Sequence, residues 1–130
     1  MLVRIILACS AILLLTRPGA AEDCRALEFG AREALLRQAP TCDKAMELFQ
    51  GCNAGGSGDI NLGQIVTETC ERAFLKKLSA KQRRSYASEI KDCNDEEKED
   101  EGTLSRAMAA GCLAQLAQSY AHKFGKPRSR

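Results

Sequence analysis

The sequence predicts an all-α fold, a small bundle of about five short helices stapled by disulfides. Apolar residues recur at intervals of three and four along most of the chain, and the alternating β-branched pattern of a half-buried strand is absent. Six of the seven cysteines follow the N-terminal apolar segment. An even set of cysteines in a short exported chain is typical of a disulfide framework.

Residues 1–21 have the pattern of a cleaved secretion signal. Arg4 provides a positive charge, residues 5–15 form an uncharged apolar run, and small residues occupy the cleavage site at 19–21. The run is too short to cross a bilayer, which needs roughly 20 residues. Cys9 is expected to leave with this segment. We therefore expect a periplasmic or extracellular protein with no stable membrane insertion after cleavage.

Removal of the signal would make the remaining chain formally neutral. Arg4 and Arg17 leave with it and no acid does, so 17 basic residues remain against 17 acidic ones. Nucleic acids and anionic membranes select for a strong basic excess. Neither is expected as a partner.

The first two predicted helices are separated by a proline. The first covers residues 23–37 and ends before Pro40, which cannot continue a helix. Thr41 then caps a short second helix, whose apolar stripe runs from Cys42 to Cys52. We expect these two helices to pack antiparallel.

A glycine-rich turn between residues 51 and 58 precedes the third predicted helix. Asn61 is the predicted N-cap, and Gln64, three residues later, completes a capping box. The buried face is expected to consist of apolar residues at helical spacing: Leu62, Ile65, Val66, Cys70, Ala73, Phe74 and Leu78.

Ser79 and Gln82 repeat the capping pattern and begin the fourth predicted helix. Gly102 and Thr103 then break and restart the chain for the fifth, which ends near residue 123. The inner face of the fourth helix is expected to carry Tyr86, Ile90 and Cys93. The inner face of the fifth is expected to carry Leu104, Met108, Cys112, Leu113, Leu116, Ala117 and Tyr120.

The core of the single domain, residues 22–124, is expected to be thin. The chain has no Trp, aromatic residues make up only 5% of it, and much of its apolar content is alanine. Each disulfide would then contribute about 2 to 4 kcal/mol, mainly by restricting the unfolded chain. The remaining residues, 125–130, are expected to form a disordered basic tail.

Six cysteines allow 15 pairings, and helix geometry favours one of them. Cys93 and Cys112 lie nine residues before and ten residues after Gly102, so they should lie level across a helical hairpin. The same argument applies to the cysteines on either side of the glycine-rich turn. The preferred set is Cys24–Cys52, Cys42–Cys70 and Cys93–Cys112.

Sequential pairing is the alternative, with Cys24 bonded to Cys42 and Cys52 bonded to Cys70. It would join the two ends of the first helix, which lie roughly 20 Å apart if that helix is straight. A disulfide requires a Cα separation below about 7 Å.

Neither zinc binding nor cysteine catalysis is expected. A structural zinc site uses ligands at spacings such as C-x2-C, whereas the nearest cysteines, Cys42 and Cys52, are ten positions apart. The only histidine, His122, lies near a helix end and is expected to face solvent. Paired cysteines offer no nucleophilic thiolate. We therefore predict a protein that is not an enzyme and that has no catalytic residues, metal or cofactor.

Residues 59–61 (Asp-Ile-Asn) match the opening of a calcium-binding loop, but the later positions do not. Gln64 stands where the sharp turn needs glycine, and Cys70 stands where a bidentate glutamate is needed. A turn followed by a helix cap accounts for the same residues without a metal.

Four short motifs follow one another in the second half of the chain. They are FLKKL at 74–78, Tyr86 ahead of KDC at 91–93, GT at 102–103 and CLA at 112–114. In this order they resemble the exported bacterial proteins related to the lysozyme inhibitor of the LprI type, over about residues 70–120. The chain lacks the tryptophan and arginine that usually precede the cysteine at Cys93, and it carries an extra cysteine pair.

The resemblance implies a noncatalytic binding protein of the periplasm or cell surface that inhibits a lysozyme (muramidase). Host-defence lysozymes are generally basic, so the acidic run at residues 92–101 could steer such a complex. The alternative is that this run has no binding role and only keeps a helical hairpin soluble. The expected partner-binding residues are Asp95, Glu96, Glu97, Glu99 and Asp100.

Two other functions stay open. One is an envelope structural or stress-related interaction module that uses the basic cluster, which consists of Lys76, Lys77, Lys81, Arg83 and Arg84. The other is a carrier of a small apolar ligand in a cavity between alanine-rich helices.

Overall fold

A computed structural model describes residues 24, 26–95 and 102–126 of the chain. This part of the chain is all-α and has no strand, so the predicted fold class is confirmed. A single 3₁₀ turn, Leu75–Lys77, follows the third helix. The five α-helices are α1 (Phe29–Arg37), α2 (Cys42–Cys52), α3 (Gly58–Phe74), α4 (Ala80–Asp95) and α5 (Thr103–Phe124).

The first helix is shorter than the predicted span of residues 23–37. Cys24 and Ala26 are helical, but Glu28 has an extended backbone, with ψ of 153°, and α1 begins at Phe29 after this break. The guanidinium of Arg32 donates from Nε to the carbonyl of Leu27 at 2.8 Å and so holds the break. The prediction of one continuous helix is therefore wrong. The apolar residues keep helical spacing across residues 27–28, but the backbone there is not helical.

The second helix begins as predicted. The backbone N–H of Lys44 donates to Oγ1 of Thr41 at 3.2 Å, which satisfies one of the free donors at the helix start. The stripe that α2 buries consists of Ala45, Met46, Leu48, Phe49 and Cys52.

The third helix begins at Gly58, three residues before the predicted start, and Asn61 is an exposed residue of its first turn. The prediction of an Asn61 cap is wrong because Asp59 organises the preceding loop instead, as described below. The predicted buried residues are buried except Ala73, which is half-buried, but α3 ends at Phe74, so Leu78 lies beyond the helix on which it was predicted.

The fourth helix has the predicted capping box. The N–H of Ser79 donates to Oε1 of Gln82 at 2.8 Å, and the N–H of Gln82 donates to Oγ of Ser79 at 3.3 Å. Only Tyr86 and Cys93 of α4 are buried, and Ile90 is half-buried. The rest of α4 is therefore available as surface.

An aromatic cluster joins α3, α4 and α5. The ring of Tyr86 lies 5.2 Å from that of Phe74, edge to face, and 4.6 Å from that of Tyr120. The hydroxyl of Tyr86 donates to Glu71 at 2.9 Å, and the hydroxyl of Tyr120 donates to Glu89. Burial, together with the bond to Glu71, raises the pKa of Tyr86.

The inner face of α5 differs from the prediction. Leu104 and Met108 are 62% and 66% exposed, so their placement in the core is wrong. Cys112, Leu113 and Leu116 are half-buried, whereas Ala117 and Tyr120 are buried as predicted. The residues that α5 buries are mostly alanines: Ala107, Ala109, Ala110, Ala114, Ala117, Tyr120 and Ala121.

Close approach of α3 and α5 explains this choice of face. A Cβ atom on Gly63 would lie only 2.9 Å from the Cβ of Ala110 and 2.9 Å from its carbonyl oxygen. Larger side chains do not fit at this crossing. The alanine face of α5 therefore turns toward α3, and the larger apolar residues turn away from it.

The last helix ends at Phe124, and the carbonyl oxygen of Gly125 accepts a hydrogen bond from Nζ of Lys77. The first residue of the expected tail is thus tied to the 3₁₀ turn. The rest of that tail from residue 127 onward, and the expected signal at 1–21, lie outside the described residues. Within the described part, no helix is both long enough and apolar enough to span a membrane.

Replacing Gly63 with alanine should lower the free energy of unfolding by about 1 kcal/mol. Overpacking costs about 1–3 kcal/mol, and the higher helix propensity of alanine offsets up to about 1 kcal/mol of this. Gly111, on α5, has no atom within 4 Å of an added Cβ, so Gly111→Ala is the control and should stabilise by about 0.5–1 kcal/mol. Urea unfolding measures both changes. Equal stabilisation by the two substitutions would contradict the close packing.

Candidate functional site

The structure joins the six described cysteines in the preferred set of pairs. The Cα separations are 5.2 Å for Cys24–Cys52, 4.5 Å for Cys42–Cys70 and 5.7 Å for Cys93–Cys112. The preferred pairing is confirmed, and sequential pairing is wrong. None of these six cysteines is a free thiol.

An open groove of about 860 Å³ lies beside the Cys93–Cys112 disulfide. The second half of α4, the first two-thirds of α5 and the region around the loop between α2 and α3 line it. Its large apolar residues are Phe49, Leu104, Met108 and Leu116. Leu104 and Met108, which were expected in the core, thus form exposed apolar surface at this groove, whereas Phe49 is buried beneath it and Leu116 is half-buried.

The charges that line the groove are all negative. Glu89, Asp92 and Asp59 contribute carboxylates, and no described lysine or arginine lines it. Glu89 and Asp92 lie three residues apart on α4, which places them on one side of that helix. Oε1 of Glu89 accepts the hydroxyls of Tyr120 and Ser85. The groove therefore favours cationic groups over anionic ones.

Asp59 organises the loop that forms one wall of this groove. Its carboxylate is 6% exposed and accepts the backbone N–H groups of Ala54 at 3.1 Å, Gly55 at 2.6 Å and Gly56 at 3.2 Å. Gly55 has a φ of 76°, a conformation that favours glycine. The oxygens of Asp59 thus accept N–H donors of the loop. This role in closing the loop accounts for Asp59 in the calcium-like motif without a metal.

The expected partner-binding acids begin at the end of α4. Asp95, its last residue, forms an ion pair with Lys91 one turn earlier. Glu96, Glu97, Glu99 and Asp100 lie outside the described residues. The acidic segment, residues 96–101, follows Asp95 in the sequence, and the described residues Cys93 and Leu104 on either side of it line the groove.

Opposite charges occupy the two ends of α4. The basic cluster lies on the 3₁₀ turn and at the start of α4, and all five of its residues are exposed. Asp95 ends α4 at its other end, roughly 24 Å away for a helix of this length, and the acidic segment follows it in the sequence. This separation distinguishes two surfaces that different partners could use.

His122 is exposed, as predicted, but it belongs to a polar cluster between α2 and α5. Its Nε2 lies against Oδ1 of Asp43, and Nε2 of Gln118 donates to the same oxygen at 2.9 Å. These bonds, that of Gln118 foremost, lower the pKa of Asp43. Among the described residues no three His, Cys, Asp or Glu side chains form a group that could hold a metal ion. We interpret the cluster as a link between helices.

Comparisons with known protein families, curated proteins and solved structures find no match for this chain. The resemblance of residues 70–120 to the LprI-type proteins therefore stays a prediction. The site that sequence reasoning missed is the groove itself. Leu104 and Met108 have the spacing of core residues, and only the neighbouring alanines Ala107, Ala109 and Ala110 indicate another inner face.

Replacing Asp59 with alanine should lower the free energy of unfolding by about 2 kcal/mol, because three loop N–H groups would lose a charged acceptor. Asn61→Ala is the control, since Asn61 was the predicted cap and is exposed in the structure. This control should change stability by less than about 0.5 kcal/mol. Chemical denaturation measures both. A larger loss for Asn61→Ala would show that the cap, and not Asp59, holds the start of α3.

Proposed function

We propose that this protein is an exported, noncatalytic binding protein that docks on a basic protein, with inhibition of a muramidase as its most specific form. The observation that carries this proposal is the groove beside Cys93–Cys112, which combines apolar side chains with three carboxylates and no described cationic residue.

Charge supports a basic partner. Residues 89–101 contain eight acidic and two basic residues, although the whole chain is close to neutral. A local field of this kind accelerates encounter with a basic enzyme and orients it toward the hairpin. A carboxylate from the segment at 96–101 could then enter a cationic cleft of the partner.

The cysteines support export. Three disulfides in a small chain are typical of proteins that fold in an oxidising compartment. Residues 1–21 would supply the signal that delivers the chain to the periplasm or the outside.

The surroundings of the carboxylates support a noncatalytic role. Asp59 is occupied by three backbone N–H groups, and Glu89 accepts two hydroxyls. A general acid or base needs an oxygen that can exchange a proton with a substrate. Both oxygens of Asp59 and Oε1 of Glu89 instead serve as fixed acceptors.

The exposed basic cluster favours a second candidate, an envelope interaction module. Its five side chains point away from the core at the end of α4 opposite the groove. Such a module would capture an acidic envelope protein and would not need the acidic segment.

Neutralising the acidic segment tests the main proposal. Asp95, Glu96, Glu97, Glu99 and Asp100 are replaced by Ser and Asn, and inhibition of a basic muramidase is measured at low and physiological salt. We expect about tenfold weaker inhibition or more at low salt, because several attractive charges are lost.

The control variant neutralises acids on other helices, namely Glu33, Glu47 and Glu68, and should inhibit as the parent does. Unchanged inhibition by the acidic-segment variant, or no inhibition by the parent protein, would contradict the proposal. Capture of an envelope protein that is lost when the basic cluster is neutralised would favour the second candidate.

A further inference from the structure

We infer that the groove beside Cys93–Cys112 binds a short cationic amphipathic helix, with the apolar face of that helix on α5 and its basic residues toward α4. This inference deepens the proposed function, which rests on the same groove, by naming the class of ligand that the groove holds. It does not require that the partner be a muramidase.

The apolar half of the argument is the exposed face of α5. Leu104 and Met108 lie four residues apart, so they share one side of the helix, and both are more than half exposed. They are two of the four large apolar residues that are exposed in the described chain. Contiguous exposed apolar surface marks an interaction site, and methionine adapts its shape to varied apolar partners.

The length of this face fits a helix of about three turns. The groove residues of α5 run from Leu104 to Leu116, which corresponds to roughly 18 Å along the helix axis. Amphipathic helices dock in such grooves through residues at positions i, i+3, i+4 and i+7. A ligand of about 12 residues would cover the whole face.

The charged half of the argument selects a cationic ligand. Glu89 and Asp92 line the α4 side, and no described lysine or arginine lines the groove. Lysine or arginine side chains on the polar face of a bound helix would lie against these carboxylates. Nucleic acids and anionic lipids would be repelled by the same surface.

A second copy of this chain fits the groove less well than a cationic helix. The basic cluster of a second copy would match the carboxylates in charge. No large apolar side chain is exposed within residues 76–84, however, so that surface offers nothing to cover Leu104 and Met108.

Binding of two synthetic peptides to the oxidised protein tests the inference. The probe is a 12-residue Leu/Lys peptide with its leucines on one helical face, and its isomer has the same composition with the leucines spread around the helix. Fluorescence anisotropy at low and physiological salt gives the Kd. We expect the isomer to bind about tenfold more weakly or worse, because it cannot cover the apolar face.

Variants of the groove locate the binding site. Leu104→Gln combined with Met108→Gln should weaken binding of the amphipathic peptide about tenfold, while Leu27→Gln, at an exposed leucine outside the groove, should not change it. Asp92→Asn should weaken binding about threefold at low salt and less at physiological salt, while Glu68→Gln should have no effect. All five substituted positions are exposed, so the variants should fold, which circular dichroism verifies.

Three results would overturn the inference. The first is equal binding of the two peptide isomers, and the second is unchanged peptide binding by the Leu104/Met108 variant. The third is a dimer of the parent protein that this variant abolishes, because a second copy would then occupy the groove. Muramidase inhibition that depends on the acidic segment, together with any of these results, would leave the proposed function standing and remove only this inference.

Discussion

The close contact between α3 and α5 determines which surfaces this protein presents. Gly63 and Ala110 bring the two helices so near that only small side chains fit between them. The alanine face of α5 is therefore buried, and the face with Leu104 and Met108 is turned outward. If α5 were rotated to bury its largest apolar residues, the helices would have to separate, and the apolar side of the groove would disappear.

Two attachments then hold α4 beside this contact. Tyr86 packs in the aromatic cluster near the middle of α4, and Cys93 bonds Cys112 near its end. These are the only buried residues of α4, so the remainder of the helix carries charge without disturbing the core. The disulfide thereby fixes Asp92 beside the apolar face of α5. The hairpin of α4 and α5 thus supplies both the carboxylates and the exposed apolar side chains of the groove.

Local rules in the sequence were sufficient for much of the fold. The hairpin turns placed Cys93 level with Cys112, and the Ser79–Gln82 box marked the start of α4, because both depend on residues near in sequence. The inner face of α5 was not predictable from periodicity. Large apolar residues such as Leu104 are normally expected in the core, whereas the close contact with α3 leaves room only for small side chains. The start of α3 was also missed. A capping residue is expected to accept N–H groups that follow it, whereas Asp59 accepts N–H groups of the loop that precedes it.

Oxidation of the two methionines in the described chain tests the orientation of α5 most directly. Met108 is 66% exposed and Met46 is 3% exposed, so each protein molecule carries its own control. Under mild peroxide, peptide mass mapping should show Met108 converted to the sulfoxide about tenfold faster or more than Met46, because sulfoxide formation follows exposure. Equally slow oxidation of both residues would place Met108 in the core and contradict the account.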